Sequence, residues 1–384
     1  MGRRSTAPGA RRLAAVAVGC LLLAGCGGGG YEPAGPFREL PQGQPPEVAP
    51  PPQGNSVPAP PAPGSPGGED AEGDPNVVAT DLAVPTGLVV LPDGTAVVGE
   101  RDTGRLLQVF PDRSPARELM TLPGIDTTGD GGLLGLAISP TFTEDGLYYA
   151  YVSTATDNRV VRFPAGGAPN PVLTGIPHGE VHNGGGLLFG ADGTLYVGTG
   201  DVGDPLLAAD PASLAGKVLA VDVFGEPVGA GPVFTQGHRD VTALCTDGVG
   251  PVYATDTAAP GSQGPDELEA LSPGRDVAGV DPVIEIATAD AGLGGCAVTG
   301  PYVFLGALDG ERVHAVELDG TGAPVGEPTP FLQGQYGRLR TVVLGSDGAL
   351  WITTSNEDGV GAPAEDDDRV LRILPPAGGA SSPL

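Results

Sequence analysis

The sequence predicts an all-β fold, a six-bladed β-propeller whose blades are four-stranded antiparallel sheets. Apolar runs rich in Val, Leu and Tyr alternate with Asp-Gly, Pro-Gly and Gly-Gly turns, and helical periodicity is scarce. A strand-turn-strand pattern recurs with evenly spaced turn aspartates: Asp192 follows Asp93 by 99 residues, and Asp347 follows Asp247 by 100. Since a repeat of about 50 residues that holds several short strands is typical of propellers, the repeat identifies the fold class.

Six such units account for the domain. Each begins with a strand, a turn and a second strand, in the segments 88–100, 133–152, 187–201, 243–256, 296–308 and 342–355. A later strand follows in every unit, within RLLQVF, RVVRF, KVLAV, ELEAL, RVHAVEL and RVLRIL. His314, in the alternating RVHAVEL run, is interpreted as a residue on a strand face. A seventh unit would overrun the chain, and a β-sandwich or paired domains would not explain the period.

Residues 1–26 have the composition of an export signal, here predicted to be a lipoprotein signal peptide. Two arginine pairs precede an apolar stretch, 13–23, that is too short to span a bilayer as a stable helix. The closing Leu-Ala-Gly-Cys resembles the lipobox of bacterial lipoproteins, so Cys26 is the predicted lipidation site. An ordinary secretory signal with a chance cysteine is the alternative. The prediction is an exported protein, lipid-anchored to the outer face of the bacterial cell membrane.

The remaining chain divides by composition. Residues 27–76 are rich in Gly and Pro and have too little apolar surface to offset their ordering entropy, so a disordered tether is predicted. Residues 77–376 can form one large propeller, and 377–384 are predicted to be a disordered tail. The net charge is −28, from 19 basic and 47 acidic residues. Because such a chain repels nucleic acid and anionic lipid, we expect no nucleic-acid partner and membrane contact through the anchor only.

Cys245 and Cys296 are the two cysteines of the predicted propeller. An even pair in an exported bacterial protein favours a disulfide over a metal site. Both fall on or near the first strands of neighbouring units four and five, and the innermost strands of adjacent blades run close together. We therefore expect the two cysteines to be bonded.

A set of charged residues is predicted to converge at one end of the channel. Counted back from the turn aspartate of its own unit, His182 lies 10 positions upstream, Arg239 lies 8 and Arg338 lies 9, with Arg340 close behind. They therefore occupy the loops that lead into first strands, which together surround the channel mouth. A histidine with three arginines indicates an anionic ligand and a proton to be moved. For any single arginine, the alternative is an ordinary ion pair with one of the many acids.

Several stretches between about residues 82 and 374 resemble the soluble PQQ-dependent glucose dehydrogenase and aldose sugar dehydrogenase family, also called glucose/sorbosone dehydrogenases. They are PTGLVVLPDGTAVVGERDTGRLLQV, GGLLGLAISPTF, HNGGGLLFGADGTLYVGTGD, SLAGKVLAVD, GHRD, GPDELEAL and GRLRTVVLGSDGALWITTS. The resemblance implies a six-bladed propeller that uses PQQ and calcium to oxidise an aldose sugar to its lactone. It also implies a small sugar substrate and an external electron acceptor as partners.

The resemblance assigns roles to particular residues. His182 matches the general base that takes the proton of the anomeric hydroxyl, and Asp201 matches the carboxylate that supports it. The backbone carbonyls of Gly264 and Pro265 match the ligands of the calcium that bridges to the cofactor. The arginines that hold the cofactor's carboxylates are matched by Arg239, Arg338 and Arg340.

The chain also departs from the family pattern at the implied cofactor site. After Gly-His-Arg the family usually has an asparagine and, two residues on, a glutamine, where this chain has Asp240 and Thr242. A basic residue is common in the family where Asp309 stands. These changes remove hydrogen-bond donors and add negative charge, so they favour a second hypothesis, a non-enzymatic sugar- or ligand-binding lipoprotein propeller that has lost cofactor binding.

Two further interpretations have less support. A calcium-dependent lactonase on a similar propeller would need a cluster of Glu, Asn and Asp ligands at the channel, which the sequence does not supply. His178, Glu180 and His182 could be metal ligands, but their spacing differs from that of a helical zinc motif.

Overall fold

A computed structural model describes residues 73–258 and 264–375, all within one compact unit of the chain, 68–384. The predicted export signal with Cys26, most of the predicted tether and the tail at 377–384 lie outside the described residues. No helix in the described stretches is long and apolar enough to cross a membrane.

The boundary between tether and propeller differs from the sequence-based prediction, which ends the disordered tether at residue 76. Tyr336 donates its hydroxyl hydrogen to Asp74 at 2.7 Å and accepts a hydrogen bond from the Asn76 amide at 3.0 Å. The backbone N–H of Arg372 also donates to the carbonyl of Asn76 at 2.8 Å. These contacts fasten residues 74–76 to the propeller, so they are ordered and do not belong to the tether.

The described residues form short strands with two short helices and one 3-10 turn. The elements of the first half of the chain are β1 (Val77–Ala79), β2 (Pro85–Val90), β3 (Ala96–Glu100), β4 (Arg105–Val109), β5 (Arg117–Thr121), β6 (Leu133–Ile138), α1 (Phe142–Asp145), β7 (Leu147–Ser153), β8 (Asn158–Pro164), β9 (Asn170–Ile176), β10 (Leu187–Phe189), β11 (Leu195–Gly198), α2 (Pro205–Ala209), β12 (Lys217–Val221) and β13 (Val233–Gln236).

The second half continues the same pattern. Its elements are β14 (Val241–Cys245), β15 (Tyr253–Asp256), β16 (Asp266–Ala270), β17 (Arg275–Asp276), β18 (Ile284–Ile286), a 3-10 turn (Thr288–Asp290), β19 (Leu293–Thr299), β20 (Tyr302–Ala307), β21 (Arg312–Glu317), β22 (Thr329–Phe331), β23 (Leu339–Leu344), β24 (Leu350–Thr354) and β25 (Val370–Ile373).

These strands form the six blades that the sequence predicts. Blade 1 holds β2 to β5, blade 2 holds β6 to β9, and blade 3 holds β10 to β13. Blade 4 holds β14, β15, β16 and β18, blade 5 holds β19 to β22, and blade 6 holds β23 to β25 with β1. The four main strands of each blade are antiparallel neighbours, and blade 3 has an extra two-residue strand, β17, parallel to β13.

The ring closes through the two ends of the domain. The first strands contact one another in cyclic order, and β23 of blade 6 returns to β2 of blade 1. The outermost strand of blade 6 is the N-terminal β1, which pairs with β25. Ladder hydrogen bonds between the two ends therefore hold the ring together, in addition to packing between blades.

The turn aspartates that revealed the repeat have a local structural role. Each accepts a hydrogen bond from the backbone N–H two residues on, which makes the tight turn between the first and second strands of a blade. The distances are 2.9 Å for Asp93 to Thr95, 3.0 Å for Asp192 to Thr194, 2.9 Å for Asp247 to Val249 and 3.1 Å for Asp347 to Ala349. The periodic Asp-Gly signal in the sequence therefore reports the blade turns themselves.

The channel between the first strands is narrow. A central cavity of about 60 Å³ is lined by residues of β2, β6, β14, β19 and β23 and of the segment leading into β10. Glycine permits the close approach, because a Cβ on Gly135 would lie 1.9 Å from the carbonyl oxygen of Gly185. The first strands therefore leave little room for a ligand between them.

Cys245 and Cys296 form a disulfide, as the sequence predicts. Their Cα atoms are 5.7 Å apart, and the bond joins β14 of blade 4 to β19 of blade 5. Both side chains are buried in the apolar cluster between these blades, with Leu268 and Leu293 among its members. The disulfide therefore crosslinks two blades near the channel.

Candidate active site

His182 lies in the loop that leads into β10, as predicted, and its backbone has an unusual conformation. Its φ is 56°, in the left-handed region that residues with a Cβ seldom adopt. The loop passes so close to Gly200 that a Cβ there would lie 1.8 Å from the carbonyl oxygen of His182. Gly200, in the Val-Gly-Thr-Gly-Asp motif at the end of β11, thus makes room for the histidine loop. A strained non-glycine residue held in this way is typical of functional sites.

The imidazole of His182 is held at one nitrogen and free at the other. Nδ1 lies 2.6 Å from Oδ1 of Asp201, whose carboxylate is 2% exposed and also accepts the N–H of Gly203 at 2.8 Å. Nε2 is buried and has no hydrogen-bond partner in the described parts of the chain. With Nδ1–H donating to Asp201, Nε2 carries a free lone pair. The hydrogen bond to Asp201 raises the pKa of His182 against the opposing effect of burial.

Polar side chains near the ends of second strands bind the loops before first strands in several blades. In three blades a polar side chain at or just beyond the end of the second strand accepts the backbone N–H of the loop that precedes the first strand. These contacts are Ala83 to Glu100 at 3.0 Å, Arg239 to Asp256 at 3.0 Å and Arg338 to Asn356 at 2.8 Å. In blade 3, Asp201 lies three residues beyond the end of β11 and binds the imidazole of His182 as well as the backbone N–H of Gly203.

The three predicted arginines lie at the same end of the propeller but differ in their partners. Arg338 donates to Asp309 at 2.8 Å and to Asp358 at 2.9 Å. Asp309, the acidic departure from the family pattern, therefore pairs with a residue that was expected to hold the cofactor. The negative charge of Asp309 is therefore paired with the positive charge of Arg338.

Arg239 is held by its own blade. Its guanidinium donates to the carbonyl of Pro265 at 2.9 Å and lies 3.3 Å from a carboxylate oxygen of Glu267. Arg239 and Arg338 therefore both form ordinary ion pairs with acidic residues, which was the alternative that the sequence left open.

Arg340, in β23, is the arginine best placed for an anionic ligand. It makes no ion pair and no side-chain hydrogen bond within 73–258 and 264–375. Burial, followed by the nearby charge of Arg101, lowers its pKa to about 10, so it remains charged at neutral pH. A half-buried cation without a protein anion favours binding of an anion from solution.

Asp240 and Thr242, predicted at the cofactor, bond to the protein itself. Asp240 accepts the N–H of Gly184 at 2.7 Å and the hydroxyl of Thr257 at 3.1 Å. Thr242 lines the central cavity, but its hydroxyl donates to the carbonyl of Leu293 at 2.8 Å. Burial, and then the charge of Asp130, raises the pKa of Asp240 to about 7. The negative charge that Asp240 adds to the mouth is therefore only partial near neutral pH.

The predicted calcium ligands already have partners. The carbonyl of Gly264 accepts the hydroxyl of Thr288 at 3.1 Å, and that of Pro265 accepts the guanidinium of Arg239. A cation beside the Pro265 oxygen disfavours a second cation there by Coulomb repulsion. In this conformation the two carbonyls do not fit calcium unless Arg239 moves. Elsewhere in the described chain, no group of three His, Cys, Asp or Glu side chains could hold a metal ion, and His178, Glu180 and His182 form none.

Asp130 is a site residue that the sequence reasoning did not select. It lies in the loop that leads into β6 of blade 2, and this loop corresponds to the loop of His182 in blade 3. Its carboxylate accepts the backbone N–H of His182 at 2.7 Å and also bonds the side-chain amide of Asn183. The sequence held a signal for it, because Asp130 stands three residues before the first strand of its unit, and His182, Arg239 and Arg338 also stand within five residues of theirs.

The family model described as glucose/sorbosone dehydrogenase matches residues 82–278 and 300–362. Among solved structures, the chain is similar to the PQQ-bound aldose sugar dehydrogenase of Streptomyces coelicolor, with 39% identity and a TM-score of 0.74 over 78% of this chain and 96% of that one. A putative oxidoreductase (glucose dehydrogenase) of Thermus thermophilus is 33% identical, with a TM-score of 0.71 over 78% and 98%.

A curated relative matches over a shorter stretch. Quinoprotein glucose dehydrogenase B of Acinetobacter calcoaceticus is 27% identical over 218 residues. The alignment spans 44% of this chain and 45% of that protein, so the chain matches less than half the length of this relative.

Proposed function

Because this chain belongs to the glucose/sorbosone dehydrogenase family, we propose that it is a PQQ-dependent dehydrogenase that oxidises an aldose to its lactone. The observation that carries the proposal is the free Nε2 of His182, backed by Asp201 at Nδ1. Oxidation of a sugar at its anomeric carbon removes one hydride and one proton. Bound PQQ supplies the acceptor for the hydride, and His182 supplies the base for the proton.

The proton chemistry follows from the geometry of the pair. In the neutral imidazole, Nε2 can accept the proton of the anomeric hydroxyl, and the positive charge that develops is then stabilised by Asp201 2.6 Å from Nδ1. A hydrogen bond that fixes the tautomer also fixes the direction of the lone pair. Because Asp201 raises the pKa of His182, the base gains strength but is protonated over a wider range of acidic pH.

The mouth fits an anionic cofactor in part. Arg340 is free to pair with a carboxylate, whereas Arg338 and Arg239 would have to share or exchange their acidic partners. For calcium to bind the carbonyls of Gly264 and Pro265, the guanidinium of Arg239 would have to leave the Pro265 oxygen. A cofactor carboxylate that attracts Arg239 would favour that movement, so we expect calcium and PQQ to bind cooperatively.

The second candidate is a binding propeller without enzymatic activity. The observation that favours it is the neutralisation of Arg338 by Asp309 and Asp358, which reduces the attraction for a highly anionic cofactor. The two candidates differ in whether PQQ binds and in whether any aldose is oxidised.

The location and the electron acceptor are proposed on the sequence. The predicted export signal, the lipobox-like motif and the Pro-rich tether support anchoring of the protein through Cys26 to the outer face of the cell membrane. An enzyme in that position would pass its electrons to an external acceptor.

The test combines binding with turnover. Purified protein is titrated with PQQ in the presence and absence of calcium, followed by absorbance, and dye reduction is measured with a panel of aldoses. We expect His182→Ala to retain PQQ but lose about 10²- to 10⁴-fold in kcat, the usual contribution of a general base. Asp201→Asn should lower kcat more than it raises KM, while Asp192→Asn, at the turn of the same blade, serves as the matched control.

Failure to bind PQQ with calcium at tens of micromolar, together with no oxidation of any aldose, would refute the dehydrogenase and leave the binding propeller. A kcat in His182→Ala within about tenfold of wild type would instead refute His182 as the base.

A further inference from the structure

The segment 182–184, which we call the base segment, is gripped from both sides by neighbouring blades. Asp130 of blade 2 accepts the backbone N–H of His182 at 2.7 Å. Asp240 of blade 4 accepts the backbone N–H of Gly184 at 2.7 Å. The backbone on either side of the imidazole is therefore hydrogen-bonded to two carboxylates that belong to other blades.

Asn183, in the centre of the base segment, is fastened at every polar atom of its side chain. It is 1% exposed, its Oδ1 accepts the amide of Asn158 at 2.8 Å and the N–H of Gly179 at 3.0 Å, and its Nδ2 donates to the carbonyl of Gly179 at 2.8 Å. Nδ2 also bonds Asp130, and the hydroxyl of Tyr151 donates to the backbone carbonyl of Asn183 at 2.8 Å. These contacts fix the residue next to the base against blade 2.

The two carboxylates differ in what they accept. Asp130 receives two N–H donors, the backbone of His182 and the amide of Asn183, so both of its oxygens must be acceptors. Asp240 receives one N–H, from Gly184, and its second oxygen faces the hydroxyl of Thr257 at 3.1 Å. Because a hydroxyl can donate or accept, an amide nitrogen could replace that second oxygen of Asp240 but could not replace either oxygen of Asp130.

The grip matters because the base segment is strained. His182 has a φ of 56°, in the left-handed region that a residue with a Cβ adopts only at a cost in free energy. Such a conformation persists only when surrounding contacts impose it. Without them the segment would relax and turn Nε2 away, although Asp201 would still attract Nδ1.

We propose that Asp130 and Asp240 are positioning residues that hold the base segment between blades 2 and 4 and thereby aim the imidazole of His182. The inference rests on the proposed function for its kinetic consequence, but the orientation of the ring can be measured without turnover. Because the two carboxylates have different acceptor requirements, Asn should impair the site at position 130 more than at position 240. A general loss of negative charge would not distinguish the two positions.

The experiment compares four variants. Asp130→Asn and Asp240→Ala remove a required acceptor, and each should lower kcat by about 10- to 100-fold with KM changed less than about threefold, as expected for a displaced base. Asp240→Asn keeps an acceptor for Gly184 and should therefore lower kcat less than Asp240→Ala does. Asp126→Asn is the matched control, because Asp126 lies in the loop of Asp130 but its carboxylate accepts the N–H of Thr128, outside the base segment.

The ring itself is followed by NMR of ¹⁵N-histidine in the unloaded protein. The chain has only four histidines, so His182→Gln assigns the signal of His182. Wild type and Asp240→Asn should show one tautomer with Nδ1–H protected, whereas Asp130→Asn and Asp240→Ala should show this signal broadened by exchange. Unfolding curves of all variants identify any that fails to fold. If either Asp130→Asn or Asp240→Ala does not fold, the imidazole spectrum of the other tests the proposal.

Several outcomes overturn the inference. They are an unchanged imidazole spectrum in Asp130→Asn and Asp240→Ala, a loss of kcat without a spectral change, and equal impairment of Asp240→Asn and Asp240→Ala. If wild type oxidises no aldose, the proposed function fails, and the imidazole spectra alone decide whether these carboxylates position the base.

Discussion

Lys217, the single lysine of the chain, is fully buried and allows a sharp test of how the site loop is supported. Its ammonium donates to the carbonyls of Leu207 at 3.0 Å, Ala208 at 2.7 Å and Ala215 at 2.8 Å. Two of these carbonyls belong to α2, the helix that follows Asp201, and the last carbonyls of a helix lack partners within it. Lys217 therefore caps α2 and ties it to β12.

Replacing Lys217 with Met keeps the apolar stem and removes the three donors. Hydrogen bonds from a charged group contribute about 1.5–3 kcal/mol each, but desolvating the ammonium costs several kcal/mol, as its burial-lowered pKa indicates. The net loss of stability should be about 3 kcal/mol, since three buried acceptors are left without a donor. With an unfolding entropy of about 2.1 cal/mol/K per residue over roughly 300 residues, this lowers Tm by about 5 °C.

Thermal and urea unfolding of the unloaded protein measure this loss. Arg113→Met is the matched control, because Arg113 is exposed, makes one 3.4 Å hydrogen bond to Gly73, and should change stability by less than about 0.5 kcal/mol. Acylation by an amine reagent, read by intact mass, adds a second measure, since Lys217 should react only when the protein unfolds. A Met variant as stable as wild type, or a Lys217 that is acylated in the native state, would refute the reasoning.

Three other predictions follow from single features. Replacing Cys245 and Cys296 with Ala should lower stability by about 4 kcal/mol on the chain-entropy model for the sequence separation of 51, and titratable thiols in unreduced, denatured wild type would contradict the bond. Burial, and then Glu267, raises the pKa of Glu269 from 4.5 to about 7, so the native state binds the extra proton and stability falls as pH rises between these values. The free energy of unfolding of Glu269→Gln, measured from pH 4.5 to 7.5, should fall by up to about 3 kcal/mol less than that of wild type. Parallel pH profiles of the two proteins would contradict the raised pKa of Glu269. Cys26→Ala should release the protein from membranes, and unchanged retention would argue against the anchor.

The sequence was enough to predict the six blades because their signals are local. Alternating apolar residues and Asp-Gly turns act within a few positions, and the aspartate at each turn bonds the backbone two residues on. The repeat then implies which strands are innermost, and hence that Cys245 and Cys296 lie on adjacent blades. The location of His182 and Arg239 in loops leading into first strands follows from the same count.

The partners of the charged residues were decided only by the tertiary structure. With 47 acidic residues against 19 basic ones, the sequence leaves many possible pairs, and contact depends on how neighbouring blades pack. The pairing of Arg338 with Asp309, the grip of Asp130 on the base segment and the carbonyl cage of Lys217 all join residues whose proximity no local pattern encodes. The closure of the ring by β1 has the same origin, since it pairs the two ends of the domain. Local hydrogen bonding and apolar periodicity therefore determined the fold, whereas long-range packing determined which charges at the mouth are free to act.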